Sequence, residues 1–256
     1  MATGRTVGSK YTRIYIDGYD MSGYTRSVGN LEWGFNANSV ITLTDEVTGA
    51  YPGQCSIGIG DVNTVMDNTA TTGPHAVFAS DSDAVRDVMI PVGIRAVPAE
   101  GDPVFCAQVA QNSYNTNVAD EVITVNIDLG TWDERGDSKA YPYPWGHLIH
   151  ANGAETGVNT GTYDYAVDAA TTKGGYMMYQ VFPESTGTCT FKIQDSTGGA
   201  WSDLVSSGVL TLTETTGQSA IVPLGCTGTV NKNLRWQIDL GTAMTATFAL
   251  AFVRGR

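Results

Sequence analysis

Short apolar segments separated by glycine, threonine and serine run through the whole chain, and they restrict its fold more than any other feature. In the last third they follow one another at regular spacing, as YMMYQVF, TCTFKIQDS, VLTLTE, SAIVPLG, NLRWQIDL and TATFALAFVR. Their valine, isoleucine and aromatic residues pack well on a pleated surface, and their length suits strands. The pattern predicts an all-β fold whose last part, residues 175–256, is a β-sandwich.

The first part of the chain, residues 1–135, carries the same pattern and predicts a β-sandwich or barrel of its own. A strand over 11–16 is followed by Asp17-Gly18, a pair that tolerates the positive φ angles of a tight hairpin turn. Further strands are predicted in NLEWGF, QCSIGIGDVNTVMDN, VFCAQVAQNSYN and EVITVNIDLGTW. The last two predict a hairpin, and its polar loop in the segment 111–121 is a candidate for stacking on a neighbouring subunit.

One short helix is predicted in this first part, near residues 82–90. In the segment SDSDAVRDVMI, Ser80 or Ser82 offers an N-cap, and the neighbouring aspartates favour the positive end of a helix dipole. The apolar residues that follow would share one helix face, and Pro91 would end the helix.

The composition changes between the two parts, over residues 136–174. This segment is rich in proline, glycine and small polar residues, which is typical of a structured linker. The apolar segment WGHLIHA inside it predicts one strand. The predicted domains are therefore 1–135, a linker over 136–174, and 175–256.

Charge and hydropathy exclude several classes of function. The formal net charge is −12, with 42% hydrophobic and only 16% charged residues, so binding of nucleic acid by phosphate neutralisation is not expected. A surface with so few charges suits contacts between subunits. The chain has no run of about 18 apolar residues and its first residues do not resemble a secretory signal, so we expect no membrane partner and assembly in the cytoplasm.

Histidines and cysteines are the residues from which a catalytic or metal site would most easily be built. His147 and His150 lie downstream of Asp133, Glu134 and Asp137. An i, i+3 pair on a strand is expected to point to opposite faces, so these residues predict no acid–base or metal site.

The cysteines, Cys55, Cys106, Cys189 and Cys226, are far apart and lie in or beside strand-like segments, which favours free buried thiols. The sequence thus predicts no catalytic, cofactor-binding or metal-binding residues and no enzyme activity.

Acidic residues among glycines and aromatic residues beside prolines allow more than one interpretation. Asp17, Asp20 and Asp195 lack the calcium-loop pattern, and turn capping explains them more simply. The aromatic residues could form a carbohydrate- or partner-binding platform, anchor a neighbouring subunit, or pack a linker onto a domain. They are Tyr141, Tyr143, Trp145 and Trp201. Trp236, in NLRWQIDL, is predicted to lie in the core.

An ordered set of motifs resembles the tail-tube (major tail) proteins of long-tailed bacteriophages. The first part of the resemblance comprises YIDGYDMSGYTRSVG, DEVTGAYPG and DVNTVMDN. The segments GGYMMYQV, CTFKIQDSTGGAWSDL, CTGTVNKNLRWQIDL and TATFALAFVRGR resemble the C-terminal β-sandwich that accompanies such a domain in many virion proteins. The chain departs from the simplest members of the family in its long middle segment.

The resemblance implies a structural virion protein in the phage tail. Six copies would form a ring, and stacked rings would form a tube through which DNA passes without specific binding. Other phage tail or head proteins would be its partners. Two alternatives stay open from the residues: a capsid decoration (cement) protein, and a carbohydrate-binding module that uses the aromatic residues.

Overall fold

The structure, a computed structural model, describes residues 11–40, 49–70, 72–79, 84–93, 97–118, 122–131, 143–164, 170–225, 227–241 and 244–255. Over these ranges the regular secondary structure is β-strand apart from one five-residue helix, so the predicted all-β class is confirmed. The elements are β1 Tyr15–Ile16, β2 Tyr19–Asp20, β3 Thr25–Val28, β4 Leu31–Val40, β5 Gly49–Val65, α1 Pro74–Phe78, β6 Val85–Pro91, β7 Pro103–Asn117, β8 Thr124–Thr131, β9 Trp145–Thr156, β10 Asn159–Asp164, β11 Gly175–Val181, β12 Gly187–Ser196, β13 Ser202–Ser206, β14 Leu210–Leu212, β15 Gln218–Gly225, β16 Asn233–Leu240 and β17 Thr245–Arg254.

Two antiparallel sheets hold the described strands. The larger sheet runs in the order β15-β11-β17-β9-β7-β6-β1-β2, and β8, β5, β4 and β3 extend it from β7. The smaller sheet runs β10-β16-β12-β13, with β14 also paired to β12. Strands from both ends of the chain therefore share the larger sheet, and β9 joins them by pairing with both β7 and β17.

Successive side chains of β17 point to opposite faces of the larger sheet, and each face packs into a different core. Phe248, Leu250 and Phe252 point into the core between the two sheets, whereas Ala249 and Ala251 belong to a core on the opposite face. Successive side chains of a strand face opposite sides, so a strand between two cores is apolar throughout. A third core, around Phe78, Phe105 and Ile127, lies in the first part of the chain.

The predicted turn at Asp17-Gly18 is confirmed. Asp17 has φ 53° and Gly18 has φ 80°, the two positive angles of a type I′ turn, and β1 pairs directly with β2 across it. The sequence of this hairpin therefore determines its conformation locally.

The prediction of a helix near residues 82–90 is wrong, because Val85–Pro91 forms strand β6. This strand lies between β1 and β7, and Val88, Met89 and Ile90 are completely buried. A strand covered on both faces reads as a continuous apolar run, which periodicity alone does not separate from a buried helix. The helix of the first part is α1 instead, which begins with Pro74 after Gly73.

The segment predicted as a linker, residues 136–174, contributes two strands to the sheets. The strand predicted at WGHLIHA is confirmed as part of β9, and β10 pairs along its whole length with β16. The division into domains at 135 and 174 stays a prediction. Among the described residues, no helix is long and apolar enough to cross a membrane.

Candidate interaction surface

Strands β4 and β5 continue past the rest of the sheet as a two-stranded ribbon. β4 pairs with β5 from Leu31 opposite Ile59 to Val40 opposite Gly49. On the other side of β5, the neighbouring strand β8 ends at Thr131. The Thr131 hydroxyl accepts a hydrogen bond from the Ile57 amide at 3.0 Å and donates to the Ile57 carbonyl at 2.8 Å. Beyond this point β5 has only β4 as a partner strand among the described residues.

One face of the ribbon carries an apolar stripe that leads out of the core. Leu31, Trp33 and Phe35 alternate along β4, and their cross-strand partners on β5 include Ile57. Directly opposed residues of antiparallel strands share a face. The buried partner of Leu31, Ile59, lies at the inner end, while Trp33 is 40% and Phe35 46% exposed. The stripe therefore begins in the core and ends at the surface.

The exposed aromatic rings contact one another. The ring centroids of Trp33 and Phe35 are 6.1 Å apart in an edge-to-face arrangement, and Trp33 lies 5.2 Å from Tyr143. We call the surface formed by Trp33, Phe35, Ile57 and Tyr143 the aromatic face. Large aromatic residues are typical anchors of protein interfaces.

Within the ranges that the structure describes, β4 pairs only with β5, so the backbone groups along its other edge add to this surface. A two-stranded hairpin is only marginally stable in water without further strands or a packing partner. Proteins commonly protect an exposed edge with lysine or proline, but the β4 sequence LEWGFNANSV contains neither. The ribbon thus combines exposed aromatic side chains with an edge that can accept another strand.

The predicted histidine pair does not form a site with the described residues. A β-bulge in β9 places His147 opposite Phe252 and His150 opposite Leu250, so both histidines face the same side. The expectation that they point to opposite faces is therefore wrong. They have different partners: His147 Nδ1 lies 3.1 Å from the Gly101 carbonyl oxygen.

His150 is packed into the core between the sheets. Its Nε2 lies 3.2 Å from the Glu155 carboxylate, and its ring stacks on Phe248 at 4.1 Å. The three acidic residues that precede the pair in the sequence lie outside the described residues: Asp133, Glu134 and Asp137. Over the described ranges, no three His, Cys, Asp or Glu side chains gather where they could hold a metal ion.

The prediction of free buried thiols is confirmed for Cys106 and Cys189. Cys55 is half-buried. Burial raises the pKa of the Cys189 thiol to about 12 and also raises the pKa of Cys106. Thiols held in their neutral form are poor nucleophiles. Cys226 lies outside the described residues.

The aromatic residues singled out in the sequence do not come together as one platform. Tyr143 joins the aromatic face, but Trp145 packs edge-to-face on Phe105 at 5.3 Å. Trp201 lies beneath the Arg235 guanidinium at 4.8 Å, beside the smaller sheet. Tyr141 lies outside the described residues, and Trp236 is buried in the core as predicted.

The two residues that dominate the aromatic face, Trp33 and Phe35, were not singled out by the sequence. The only signal for them is the alternation in NLEWGF, which predicts a half-buried strand but not which face is covered.

The predicted turn-capping aspartates have different roles. Asp20 accepts a hydrogen bond from the Ser22 amide at 2.9 Å, as expected for a capped turn. Asp195 instead accepts from the amide of Asn231, 36 residues away, at 2.8 Å. Asp17 also makes long-range contacts, and it belongs to a buried polar cluster.

This buried polar cluster, the polar junction, lies where β6 meets the Asp17-Gly18 turn. The Arg86 guanidinium donates to one Asp17 carboxylate oxygen at 2.9 Å, and the Asp87 amide donates to the other at 2.8 Å. Arg86 also donates to the side chain of Gln111 and to the carbonyl of Val77 in α1. Arg86 thus donates a hydrogen bond to a carbonyl that has no backbone partner within the short helix.

The Asp87 carboxylate connects the polar junction to the C-terminal strands. It accepts hydrogen bonds from Ser219 on β15 and Gln108 on β7, each at 3.0 Å. Burial raises the pKa of Asp87, and the nearby charge of Asp17 adds to this effect. Burial also raises the pKa of Asp17, although the hydrogen bonds from the Asp87 backbone amide and the Arg86 guanidinium favour its charged form. Because its groups are satisfied within the chain, the junction stabilises the fold rather than forming an open site.

Comparisons with known proteins identify no family for this chain. No protein-family model matches it, and no curated protein matches it. Among solved structures, the Dit protein of phage SPP1, described as a hub adsorption apparatus protein, aligns over 94% of this chain and 99% of its own at 10% identity, with a TM-score of 0.35. The Cry1Da tryptic core of Bacillus thuringiensis aligns over 99% of this chain and 52% of its own at 10% identity, with a TM-score of 0.24. At these TM-scores neither likeness establishes a shared fold.

Proposed function

We propose that this chain is a structural protein of a phage virion that assembles into the tail tube, as stacked hexameric rings through which DNA passes. The ordered motifs that resemble tail-tube proteins support the choice of family. The proposal assigns the chain no catalytic activity and no cofactor. Its partners are further copies of itself and other phage tail or head proteins.

The observation that carries the proposal is the projecting ribbon with its aromatic face. A strand edge and a set of aromatic rings left exposed in a single copy are suited to pairing with another chain. In a closed ring, each ribbon would pack against the next copy and its edge would no longer be open. Self-assembly would therefore cover the surface that a single copy exposes.

The charge of the chain fits a conduit for DNA better than a DNA-binding surface. A net charge of −12 repels phosphates, so DNA would move through the tube without being held. Tight DNA binding that weakens steeply with salt would contradict this part of the proposal.

Electron microscopy of the purified protein in negative stain tests the proposal directly. We expect long rods of uniform width built from stacked rings, and class averages viewed along the rod should show sixfold symmetry. Small discrete oligomers that bind expanded phage heads would contradict the tube and favour a capsid decoration protein. A monomer at all concentrations would contradict both.

A further inference from the structure

A cleft of about 280 Å³ opens beside the base of the ribbon. Two arginines, several hydroxyl groups and an apolar floor line it. Arg26 is exposed and makes no hydrogen bond or ion pair with a described residue, while the Arg13 guanidinium donates to the Thr12 carbonyl at 3.1 Å. Its lining includes Arg13, Arg26, Ser22, Thr25, Val28 and Leu31.

The charge of this arginine cleft is opposite to that of the whole chain. Among the described residues that line it, none is aspartate or glutamate, although the chain has 26 acidic and only 14 basic residues. Two guanidinium groups above an apolar floor suit a short acidic segment that also carries apolar side chains.

The segment that connects the two strands of the ribbon has this chemistry. It comprises the eight residues ITLTDEVT, 41–48, between the paired ends Val40 and Gly49. Asp45 and Glu46 supply two adjacent carboxylates, and apolar residues stand on both sides of them in the sequence.

The ribbon is too long for its own tip to reach the cleft. Leu31 lines the cleft and lies opposite Ile59, whereas the tip begins at Gly49, ten residues further along β5. At the rise of an extended strand this separation is about 33 Å. The connecting segment is anchored at both ends and spans at most about half that distance. The tip can therefore occupy an arginine cleft only in another copy.

Two other segments are less suitable occupants. Residues 1–10 precede the cleft directly in the sequence, but they contain Arg5 and Lys10 and no acidic residue. The tip of the β7–β8 hairpin contains Asp120 and Glu121. However, this hairpin closes beside Val65, at the same end of β5 as the cleft. By contrast, the strand ends that residues 41–48 connect, Val40 and Gly49, lie at the opposite end of β5, as a head-to-tail contact requires.

We propose that residues 41–48 of one copy dock in the arginine cleft of the next copy, where Asp45 and Glu46 pair with Arg13 and Arg26. The inference rests on the proposed function, for which it names the contact between successive copies. Because residues 41–48 and the arginine cleft are different surfaces, the contact is heterologous. Each copy can then bind one neighbour through its residues 41–48 and another through its cleft, so the contact repeats along a series of copies.

Charge reversal tests this pairing in the full-length protein. We expect the tip variant Asp45→Lys/Glu46→Lys and the cleft variant Arg13→Glu/Arg26→Glu each to raise the critical concentration for assembly about tenfold or more. The matched controls are Glu100→Lys and Lys232→Glu, which reverse exposed charges elsewhere and should assemble as the wild type does. Unfolding curves establish that each variant is folded.

Mixing the two charge-reversed variants separates a specific pairing from a general charge effect. The lysine tip of one variant then meets the glutamate cleft of the other, and the wild-type tip of the second meets the wild-type cleft of the first. We expect the mixture to assemble although neither variant does so alone. Assembly of either folded variant at the wild-type concentration would overturn the pairing, and so would a mixture that stays unassembled.

A crosslink distinguishes failure of the contact from failure of the tube. In a background with Cys55→Ser and Cys226→Ser, a chain with Glu46→Cys is mixed with a differently tagged chain with Arg26→Cys and oxidised. A mixed disulfide dimer supports the contact even if no rods form, whereas replacing Arg26→Cys by Lys232→Cys should give none. Rods without the mixed dimer would leave the tube proposal standing and overturn the tip-to-cleft contact. Absence of both rods and the mixed dimer would overturn both.

Discussion

Gln180 and Asp87 connect the C-terminal strands to the first part of the chain through a hydrogen bond. The Gln180 side-chain amide on β11 donates to the Asp87 carbonyl oxygen on β6 at 2.9 Å. The same side chain accepts a hydrogen bond from the Gly18 amide at 2.5 Å. Gln180 is completely buried, and it holds the Asp17-Gly18 turn in place together with Arg86 and the Asp87 amide.

Replacing Gln180 should destabilise the protein. The substitution Gln180→Leu leaves the buried Gly18 amide without this partner, at a cost of about 1–3 kcal/mol, whereas the Asp87 carbonyl keeps its hydrogen bond from the Asp17 amide. Urea unfolding at neutral pH measures the change. The control is Gln237→Leu, because Gln237 is half-buried and makes no side-chain hydrogen bond with a described residue; it should stay within about 0.5 kcal/mol of wild type. Equal stability of the two variants would contradict the role of Gln180.

The buried carboxyl of Asp87 should make stability depend on pH. Its pKa is raised above the ordinary value of 3.8, so the folded state binds more protons than the unfolded state just above that value. The free energy of unfolding that this group contributes is therefore highest at low pH and is lost as the pH rises through the folded pKa.

The variant Asp87→Asn removes this titration but keeps an oxygen that accepts hydrogen bonds. We expect the free energy of unfolding of wild type, relative to the variant, to fall as the pH is raised from below 3.8 towards neutrality. Urea unfolding at a series of pH values measures the difference, and Asp61→Asn, at an exposed aspartate, is the control. A difference that is constant or increases with pH would contradict the raised pKa of Asp87.

Alanine substitutions at two glycines with similar φ angles distinguish the cost of backbone strain from the cost of steric overlap. Gly18 has φ 80° and Gly157 has φ 71°, so alanine at either position pays about 1–2 kcal/mol for the left-handed conformation. A Cβ atom at Gly18 would also lie 2.2 Å from the Gln218 amide nitrogen and 2.5 Å from the Val181 carbonyl oxygen, whereas Gly157 has open space.

We therefore expect Gly18→Ala to cost more than Gly157→Ala, by about 1–3 kcal/mol of overpacking. Thermal and urea unfolding of the two variants measure this difference. Equal losses of stability would mean that the turn is not packed against β11 and β15 as closely as the structure shows.

The sequence predicted correctly those features that depend on neighbouring residues. Its predictions were wrong where contacts with distant strands determine the secondary structure. Asp17-Gly18 specifies its turn through the backbone preferences of two residues, so it could be predicted. Val85–Pro91 looked helical because both of its faces are buried. Val88 and Ile90 pack in the core around Phe78, and Met89 packs on the opposite face with residues far away in the sequence, such as Tyr176. The five-residue helix α1 is too short to produce a periodic signal.

The candidate surface was harder to predict than the fold. The alternation in NLEWGF indicates a strand, but the surroundings of Trp33 are set by distant residues: Ile57 lies opposite it on β5 and Tyr143 packs beside it, and its side chain is 40% exposed. Likewise, the opposite-face argument for His147 and His150 failed because a β-bulge changes the alternation, and no local residue signals that bulge. Both features depend on how strands of different lengths are aligned.

The aromatic face gives the most direct prediction about assembly. We expect Trp33→Ser/Phe35→Ser to abolish rod formation, because these side chains provide the large apolar area that a neighbouring copy would cover. The folded monomer should lose only about 1 kcal/mol for each ring, since both rings are already partly exposed. Negative-stain microscopy and urea unfolding of the same preparation measure the two effects. The control is Val158→Ser/Val209→Ser, which removes apolar side chains that are 65% and 77% exposed elsewhere on the molecule. If both double variants form rods as the wild type does, the aromatic face is not an assembly surface; if both fail, the loss reflects general exposed hydrophobicity instead of this face.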